Sequence, residues 1–426
     1  MAPKQSPFNL QTCARANILA LEPYRCARDD YKDDGTNILL DANENAYGPS
    51  LPSSTTSNPS LNFLGLNRYP DPHQHPLKTL LCQLRNTHHH TPRTLTPANL
   101  FLGVGSDEAI DALLRCFCVP SQESILVCPP TYGMYSVSAC VNDVALVKVP
   151  LRPAPTFDLD VEAILSTLSS PQPKPIKLIY ICSPGNPTGA LIPKAQIQQI
   201  LEHPTWNGIV VVDEAYIDFS PEGSSLAEWV TEWPNLVVLQ TLSKAFGLAG
   251  IRLGAAFASP EVAGLLNNLK APYNISSPTE ALASQALQKE GLEVMRGYRE
   301  KIVRQRKRML EELPKVKGMG RFRGGEDSNF LLVEVCDREG KPNNEVARRV
   351  YERLAEGRGV VVRFRGKEHG CEGCVRITVG TEDEVTRFLG EIGGVIEEIW
   401  TEVEKSSAQD GAVEEKKEVE ANGVVA

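Results

Sequence analysis

Between positions 99 and 257 the chain carries a series of short, unbroken Val/Ile/Leu runs, and these constrain its fold more than any other feature. They are Ser124–Pro130 (SILVCPP), Val144–Pro150 (VALVKVP), Lys177–Pro184 (KLIYICSP), Gly208–Tyr216 (GIVVVDEAY), Asn235–Ser243 (NLVVLQTLS) and Arg252–Ser259 (RLGAAFAS). Strands with one wet face alternate apolar and polar residues. Continuous apolar runs predict strands buried on both faces of a largely parallel sheet. Helical patterns separate them at Ser106–Phe117, Asp160–Ser169 and Lys194–His203. The expectation is an α/β layered fold with a largely parallel sheet and its chemistry at the carboxyl ends of the strands.

The character changes after Ala271–Glu280. A long charged helix pattern from Glu280 to Leu313 leads to strand candidates at Asn329–Val335, Gly359–Phe364 and Cys374–Gly380. Helices are expected at Asn344–Glu356 and Glu382–Trp400. This predicts a smaller α+β domain at 275–403, built from both chain ends, beside a large domain at 66–274. Residues 18–65 form an N-terminal arm and part of the small domain, and the Ser/Pro/Asn-rich segment 50–62 is a loop or insertion. Residues 1–17 and 404–426 are expected to be disordered. From Glu402 to Glu420 seven acids outnumber three lysines, without apolar periodicity.

The net charge of −9 argues against a general nucleic-acid binder, which needs a basic face. No run of about eighteen apolar residues marks a membrane span, and the N-terminus lacks the pattern of a secretory signal. Eleven cysteines, mostly single within apolar runs, fit free thiols in a reducing cytosol. The lone CxxC at Cys371 and Cys374 has no second pair at zinc spacing, and His88–His90 read as a surface loop. No metal site is expected.

The chemistry-bearing positions lie at the ends of the runs. Lys244 taken alone reads as an ordinary exposed lysine, but at a strand end in a small-residue pocket of Ala and Gly it can act as an amine nucleophile toward a carbonyl. Pyridoxal phosphate is an aldehyde cofactor held by such a lysine, with an acid facing its ring nitrogen. Asp213 follows three valines, thirty-one residues earlier. A buried acid there needs a cation, although a helix or turn cap is the plainer reading. Tyr216 and Asn186 can donate to the ring oxygen, and Asn186 also reads as an ordinary Asn-Pro turn. Gly105, Ser106 and Asp107 open a helix whose amides can hold a phosphate, with Ser243 and the guanidinium of Arg252 completing the cradle. Tyr132 can stack on the ring or be a core tyrosine.

Taken together, this order of Gly-turn, Tyr, Asn, Asp, Tyr, Ser-Lys and Arg resembles the fold-type I pyridoxal-phosphate aminotransferases, which implies an α/β fold whose large domain holds a mostly parallel seven-stranded sheet in α/β/α layers. Within them the chain is most similar to the histidinol-phosphate aminotransferases, over about Ile18–Ile399. The strings that carry the resemblance are LEPYRCAR, LLDANENAYGPS, LNRYPDP, VGSDEAID, CPPTYGMYSVSA, VVVDEAYIDF, TLSKAFGLAGIRLG and CVRITVG. The resemblance implies that Lys244 carries the cofactor and shuttles protons, and that Asp213 pairs with the ring nitrogen. It assigns Asn186 and Tyr216 to the ring oxygen and Tyr132 to the ring face. The phosphate falls to Ser106, Asp107, Ser243, Arg252 and a Tyr69 reaching in from a partner subunit, hence a homodimer. Arg376 is implied as the binder of the glutamate and 2-oxoglutarate carboxylate, Arg363 and the partner's Tyr24 as binders of the substrate phosphate. Asn43 lies near the substrate. The implied reaction exchanges an amino group between L-histidinol phosphate and 2-oxoglutarate in histidine biosynthesis, giving imidazole acetol phosphate and L-glutamate. An aromatic amino-acid aminotransferase or a threonine-phosphate decarboxylase of the same fold is the alternative. Two departures stand out: Gly185 where Asn is usual, and the 50–62 insertion with the acidic tail, which point to a eukaryotic, fungal-type form.

Overall fold

The computed structural model describes residues 4–23 and 65–422, with side chains described up to residue 403. By contact density the chain divides into two compact units. The first comprises residues up to 152, 158–186 and 190–299. The second comprises 153–157, 187–189 and 300 onward. The composition change at Ala271–Glu280 suggests an earlier division than the one observed, which falls inside a long helix.

The first unit holds a seven-stranded sheet. Its strands are β1 (Leu100–Val104), β2 (Ser124–Val127), β3 (Ala145–Lys148), β4 (Ile176–Cys182), β5 (Ile209–Asp213), β6 (Leu236–Thr241) and β7 (Leu253–Phe257). The order across the sheet is β1-β7-β6-β5-β4-β2-β3. Only β7 runs against its neighbours, so the other six strands are mutually parallel.

Alternate residues such as Ile125, Leu178, Tyr180, Ile209, Val211, Val237 and Leu239 share one core. Covering that face are α4 (Gly105–Phe117), α5 (Met134–Val141) and α8 (Pro260–Leu269). The residues between them, Leu126, Ile179, Val210 and Val238, are just as inaccessible. Both faces are therefore closed, which is why the strand sequences do not alternate. Along the chain, α1 (Leu10–Cys13) and α2 (Ala16–Leu19) come first, and α3 (His75–Arg85) precedes β1. Then α6 (Val161–Ser169) and α7 (Lys194–Leu201) flank β4.

The N-terminal segment is ordered, contrary to the expectation for residues 1–17. Cys13, Ala14 and Ile18 are buried in the core of the first unit. Arg15 ties the segment to α4 by donating from Nη1 to Arg115 O (2.8 Å), while its N–H donates to Cys116 O (3.0 Å). The few apolar side chains of this stretch find a groove to fill, a tertiary contact that local composition does not announce.

After β7 the expected single long helix is two, α9 (Ser277–Leu287) and α10 (Lys289–Glu312), broken at Gln288. The second unit is a four-stranded antiparallel sheet in the order β10-β11-β9-β8. Its strands are β8 (Met319–Phe322), β9 (Phe330–Val335), β10 (Arg363–Phe364) and β11 (Cys374–Thr378). Leu331, Val333, Val375 and Ile377 pack against Val346, Val350 and Leu354 of α11 (Asn344–Arg358). On the same core lie Phe388, Ile392 and Ile396 of α12 (Glu382–Asn422). The helix α12 continues through the segment expected to be disordered; Glu, Ala and Lys, all good helix formers, dominate it. The GVVVRF run forms only the two-residue β10, because Gly359 takes a left-handed conformation (φ 62°) to end α11.

Candidate active site

Every first-unit site residue within the described chain, Tyr69 apart, lies at one edge of the large sheet. The six parallel strands end at that edge and the reversed strand β7 begins there. Across the sheet the order is Ser106 and Asp107 after β1, then Arg252 before β7 and Ser243 and Lys244 after β6. Next come Asp213 and Tyr216 at the end of β5, Asn186 after β4 and Tyr132 after β2. The groups suited to an anion therefore occupy the β1/β7/β6 side. The groups suited to a ring occupy the β5/β4/β2 side.

On the anion side, Gly105 adopts φ +73°, which a residue with a Cβ resists. Its N–H donates to Arg252 O (2.9 Å). A Cβ on Gly105 would sit 2.6 Å from Arg252 Nη2, and one on Gly254 would sit 2.3 Å from Ser106 N. Two glycines thus let β7 and the start of α4 close up around the arginine. No side chain caps the N-terminus of α4, so its first-turn amides fit an anion. Arg252 Nη2 lies 3.7 Å from Asp107 Oδ2, a loose and half-exposed pair. The Thr241 hydroxyl donates to Leu253 O (3.0 Å) and accepts the Ser243 N–H (3.1 Å), fixing the turn that carries Ser243 and Lys244. This donor set fits the phosphate of pyridoxal phosphate.

On the ring side, Asp213 is 2% exposed. Burial pushes its carboxyl up to about 6, against the pull of hydrogen bonds from Tyr135 and the Ala215 N–H. The Tyr135 hydroxyl donates to Asp213 Oδ2 (2.7 Å), and Ala215 N donates to Oδ1 (3.2 Å). A buried carboxylate held by two donors is matched to a ring cation. Asn186 and Tyr216 are buried beside it. Tyr132, half-buried, donates to Asp107 Oδ1 (3.2 Å). Burial and then Asp107 hold its phenol above the usual range. Lys244 is exposed, as are Gly247, Ala249 and Gly250; the small-residue surround is an open surface instead of an apolar pocket. Its Nζ lies 5.6 Å from the Tyr216 ring centre.

Tyr69 is 51% exposed and stacks on Tyr273, with ring centres 4.7 Å apart. Arg363 and Arg376 lie in the second unit and are direct cross-strand partners on β10 and β11. The Arg376 guanidinium lies 5.1 Å from the Phe330 ring centre. Tyr24, Asn43 and the 50–62 insertion fall outside the described residues.

Tyr135 and Thr241 are site residues that the sequence reading missed. Neither carries a signal in the sequence: Tyr135 reads as a core aromatic on an apolar helix face, and Thr241 as an ordinary strand end. The histidine triplet has a structural task. Buried Glu228 accepts the N–H groups of Thr87 (3.0 Å), His88 (2.6 Å) and His90 (2.6 Å).

A family model for class I and II aminotransferases matches residues 36–392. The Schizosaccharomyces pombe histidinol-phosphate aminotransferase is 52% identical over 92% of this chain and 99% of its own. The Saccharomyces cerevisiae histidinol-phosphate aminotransferase is 48% identical over 90% and 96%. The chain belongs to the histidinol-phosphate aminotransferase family. Solved structures agree on the fold. The Sinorhizobium meliloti histidinol-phosphate aminotransferase, crystallised with pyridoxal-5'-phosphate, superposes with a TM-score of 0.67 at 23% identity, covering 84% of this chain and 90% of that one. The L-threonine-O-3-phosphate decarboxylase of Porphyromonas gingivalis scores 0.59 at 17% identity, over 79% and 93%. The fold alone is therefore shared with the rival chemistry. Family membership rests on the sequence identity over whole chains.

Proposed function

We propose that this chain is a pyridoxal-phosphate-dependent transaminase that exchanges an amino group between L-histidinol phosphate and 2-oxoglutarate, in histidine biosynthesis. The observation that carries the reading is the ordered edge of the large sheet, anion cradle on one side and buried Asp213 on the other, in a chain 52% identical to a histidinol-phosphate aminotransferase. The cofactor supplies an aldehyde to receive the amino group and an electron-withdrawing ring.

The chain's residues supply the rest. The α4 amides at Ser106 and Asp107, with Ser243 and Arg252, hold the phosphate. Asp213 keeps the ring nitrogen protonated, while Asn186 and Tyr216 donate to the ring oxygen and Tyr132 covers a face. Lys244 Nζ anchors the cofactor, takes the substrate Cα proton and later returns one. Arg363 binds the phosphate of histidinol phosphate and Arg376 the carboxylate of 2-oxoglutarate, with Tyr24 and Asn43 completing the substrate contacts. Arg363 and Arg376 are register partners on adjacent strands, so two cations share one face of the pair, a disfavoured pairing that anionic substrates offset.

The enzyme acts as a homodimer in the cytosol, with Tyr69 serving the partner's cofactor. Nine of the ten described cysteines are buried free thiols, in keeping with a reducing compartment. Among the described residues no helix is long and apolar enough to cross a membrane.

Turnover tests the reading. L-histidinol phosphate with 2-oxoglutarate should exceed phenylalanine with 2-oxoglutarate in kcat/KM by about a hundredfold or more, since a substrate lacking the phosphate leaves charged groups unpaired. Release of CO2 from threonine phosphate at a comparable rate would overturn it in favour of the decarboxylase.

A further inference from the structure

Behind Asp213 stands a pile of three tyrosines, two of which, Tyr135 and Tyr180, have no role in the reaction so far. Tyr135 of α5 is wholly inaccessible. Its ring stacks on Tyr180 of β4, with centres 4.8 Å apart and planes 20° apart, and meets Tyr132 edge-on at 5.6 Å. Tyr180 in turn donates its O–H to Ile110 O in α4 (3.1 Å). The Tyr135 ring is therefore clamped, and its hydroxyl reaches Asp213 Oδ2 at 2.7 Å.

We propose that Tyr135 is a positioning residue for the transamination: its buried hydroxyl fixes the Asp213 carboxylate in one rotamer and keeps it ionised to meet the ring nitrogen. This rests on the cofactor reading given above. Two donors, the Tyr135 O–H on Oδ2 and the Ala215 N–H on Oδ1, define the plane of the carboxylate and leave its remaining lone pairs for the cofactor.

The titratable groups around Asp213 support this role. They are Tyr135 on α5, Cys182 and Tyr180 on β4, Asp107 on α4 and Lys244 after β6, with Tyr132 after β2. Cys182 is the register neighbour of Asp213. Burial holds the Cys182 thiol and the Tyr135 phenol well above their ordinary range, so both stay neutral. Tyr135 is thus an O–H donor at every working pH. Asp107 is an acid, and its charge favours protonating Asp213; Lys244 opposes it.

The test uses full-length apoprotein and pyridoxal phosphate. Cofactor affinity is measured from pH 5 to 8.5 for the wild type, Tyr135→Phe and Tyr180→Phe. Binding requires the Asp213 carboxylate, so affinity falls on the acid side. In Tyr135→Phe the carboxylate loses a donor, holds its proton to higher pH, and the midpoint of that fall moves up by about one pH unit or more. Comparing variants cancels the cofactor's own titrations. Phe keeps the stack, and thermal melting confirms the fold. Tyr180→Phe disturbs the same pile without touching Asp213 and should leave the midpoint in place. In turnover, Tyr135→Phe should lower kcat about tenfold or more with KM little changed. An unmoved midpoint in Tyr135→Phe, or an equal shift in Tyr180→Phe, overturns the proposal. A wild type that fails to bind the cofactor removes the reading beneath it.

Discussion

Asp213 and Glu214 stand side by side at the end of β5, both buried, and burial raises both carboxyls, to about 6 and about 7. Their tasks differ. Glu214 is enclosed by the Ser225 hydroxyl (2.7 Å), the Leu226 N–H (2.6 Å) and the Gln240 amide (2.8 Å). Asp213 accepts from the Tyr135 hydroxyl and the Ala215 N–H, and is the acid proposed to meet the ring nitrogen. Because each folded-state value lies above the unfolded one, the native apoprotein binds more protons than the unfolded chain between pH 4 and pH 7. Their contribution to stability is therefore greatest at acid pH and declines as pH rises through that window. For Asp213, moving from 3.8 to about 6 corresponds to roughly 3 kcal/mol at most. Melting curves of apoprotein should thus show a steeper loss of Tm from pH 5 to 7.5 than those of Asp213→Asn, and added cofactor should shrink the difference. Identical slopes in wild type and variant would contradict the buried-acid account. Asp213 was legible in the sequence because an acid ending a valine run has few cheap explanations. Tyr135 was not, because an aromatic on an apolar helix face reads as core whether or not its hydroxyl has a second use.

At the level of elements, the parallel strands were readable because burial on both faces writes itself into composition. The strands that escaped notice obey other rules. β1 contains Gly103 and runs straight into the glycine turn of α4, so it reads as part of that turn. β8 (MGRF) is a half-buried edge strand of four residues with no apolar pattern. β10 shrank because the run's first residue, Gly359, ends a helix. The pairing of β10 with β11 gives the thirteen-residue separation of Arg363 and Arg376 a physical meaning: a hairpin that sets the two arginines opposite each other in register. Arg376→Ala should raise KM for 2-oxoglutarate at least about tenfold while cofactor affinity stays constant, and Arg363→Ala should do the same for histidinol phosphate alone. Thermal melting should show that both variants keep the fold. A matching loss of cofactor binding, or one variant impairing both substrates equally, would remove these residues from the separate roles proposed.

For the whole molecule, the fold class was legible but the assembly was not, since no periodicity encodes which face meets a second copy. The notion of a dimer came from family resemblance. The structure adds an exposed Tyr69 stacked on a half-buried Tyr273, an aromatic of the type enriched where proteins meet. If Tyr69 serves the partner's cofactor, each site of the dimer takes Lys244 from one subunit and Tyr69 from the other. Two inactive variants can then repair each other. In a hybrid of Lys244→Ala with Tyr69→Ala, one site carries both defects and the other carries neither. Random reassociation makes half the dimers hybrids, so the mixture should regain about a quarter of wild-type activity. Were Tyr69 to act within its own subunit, every site of the hybrid would keep one defect and mixing would restore nothing. Differently tagged subunits, co-expressed and isolated as hybrids, decide between the two arrangements by activity per dimer.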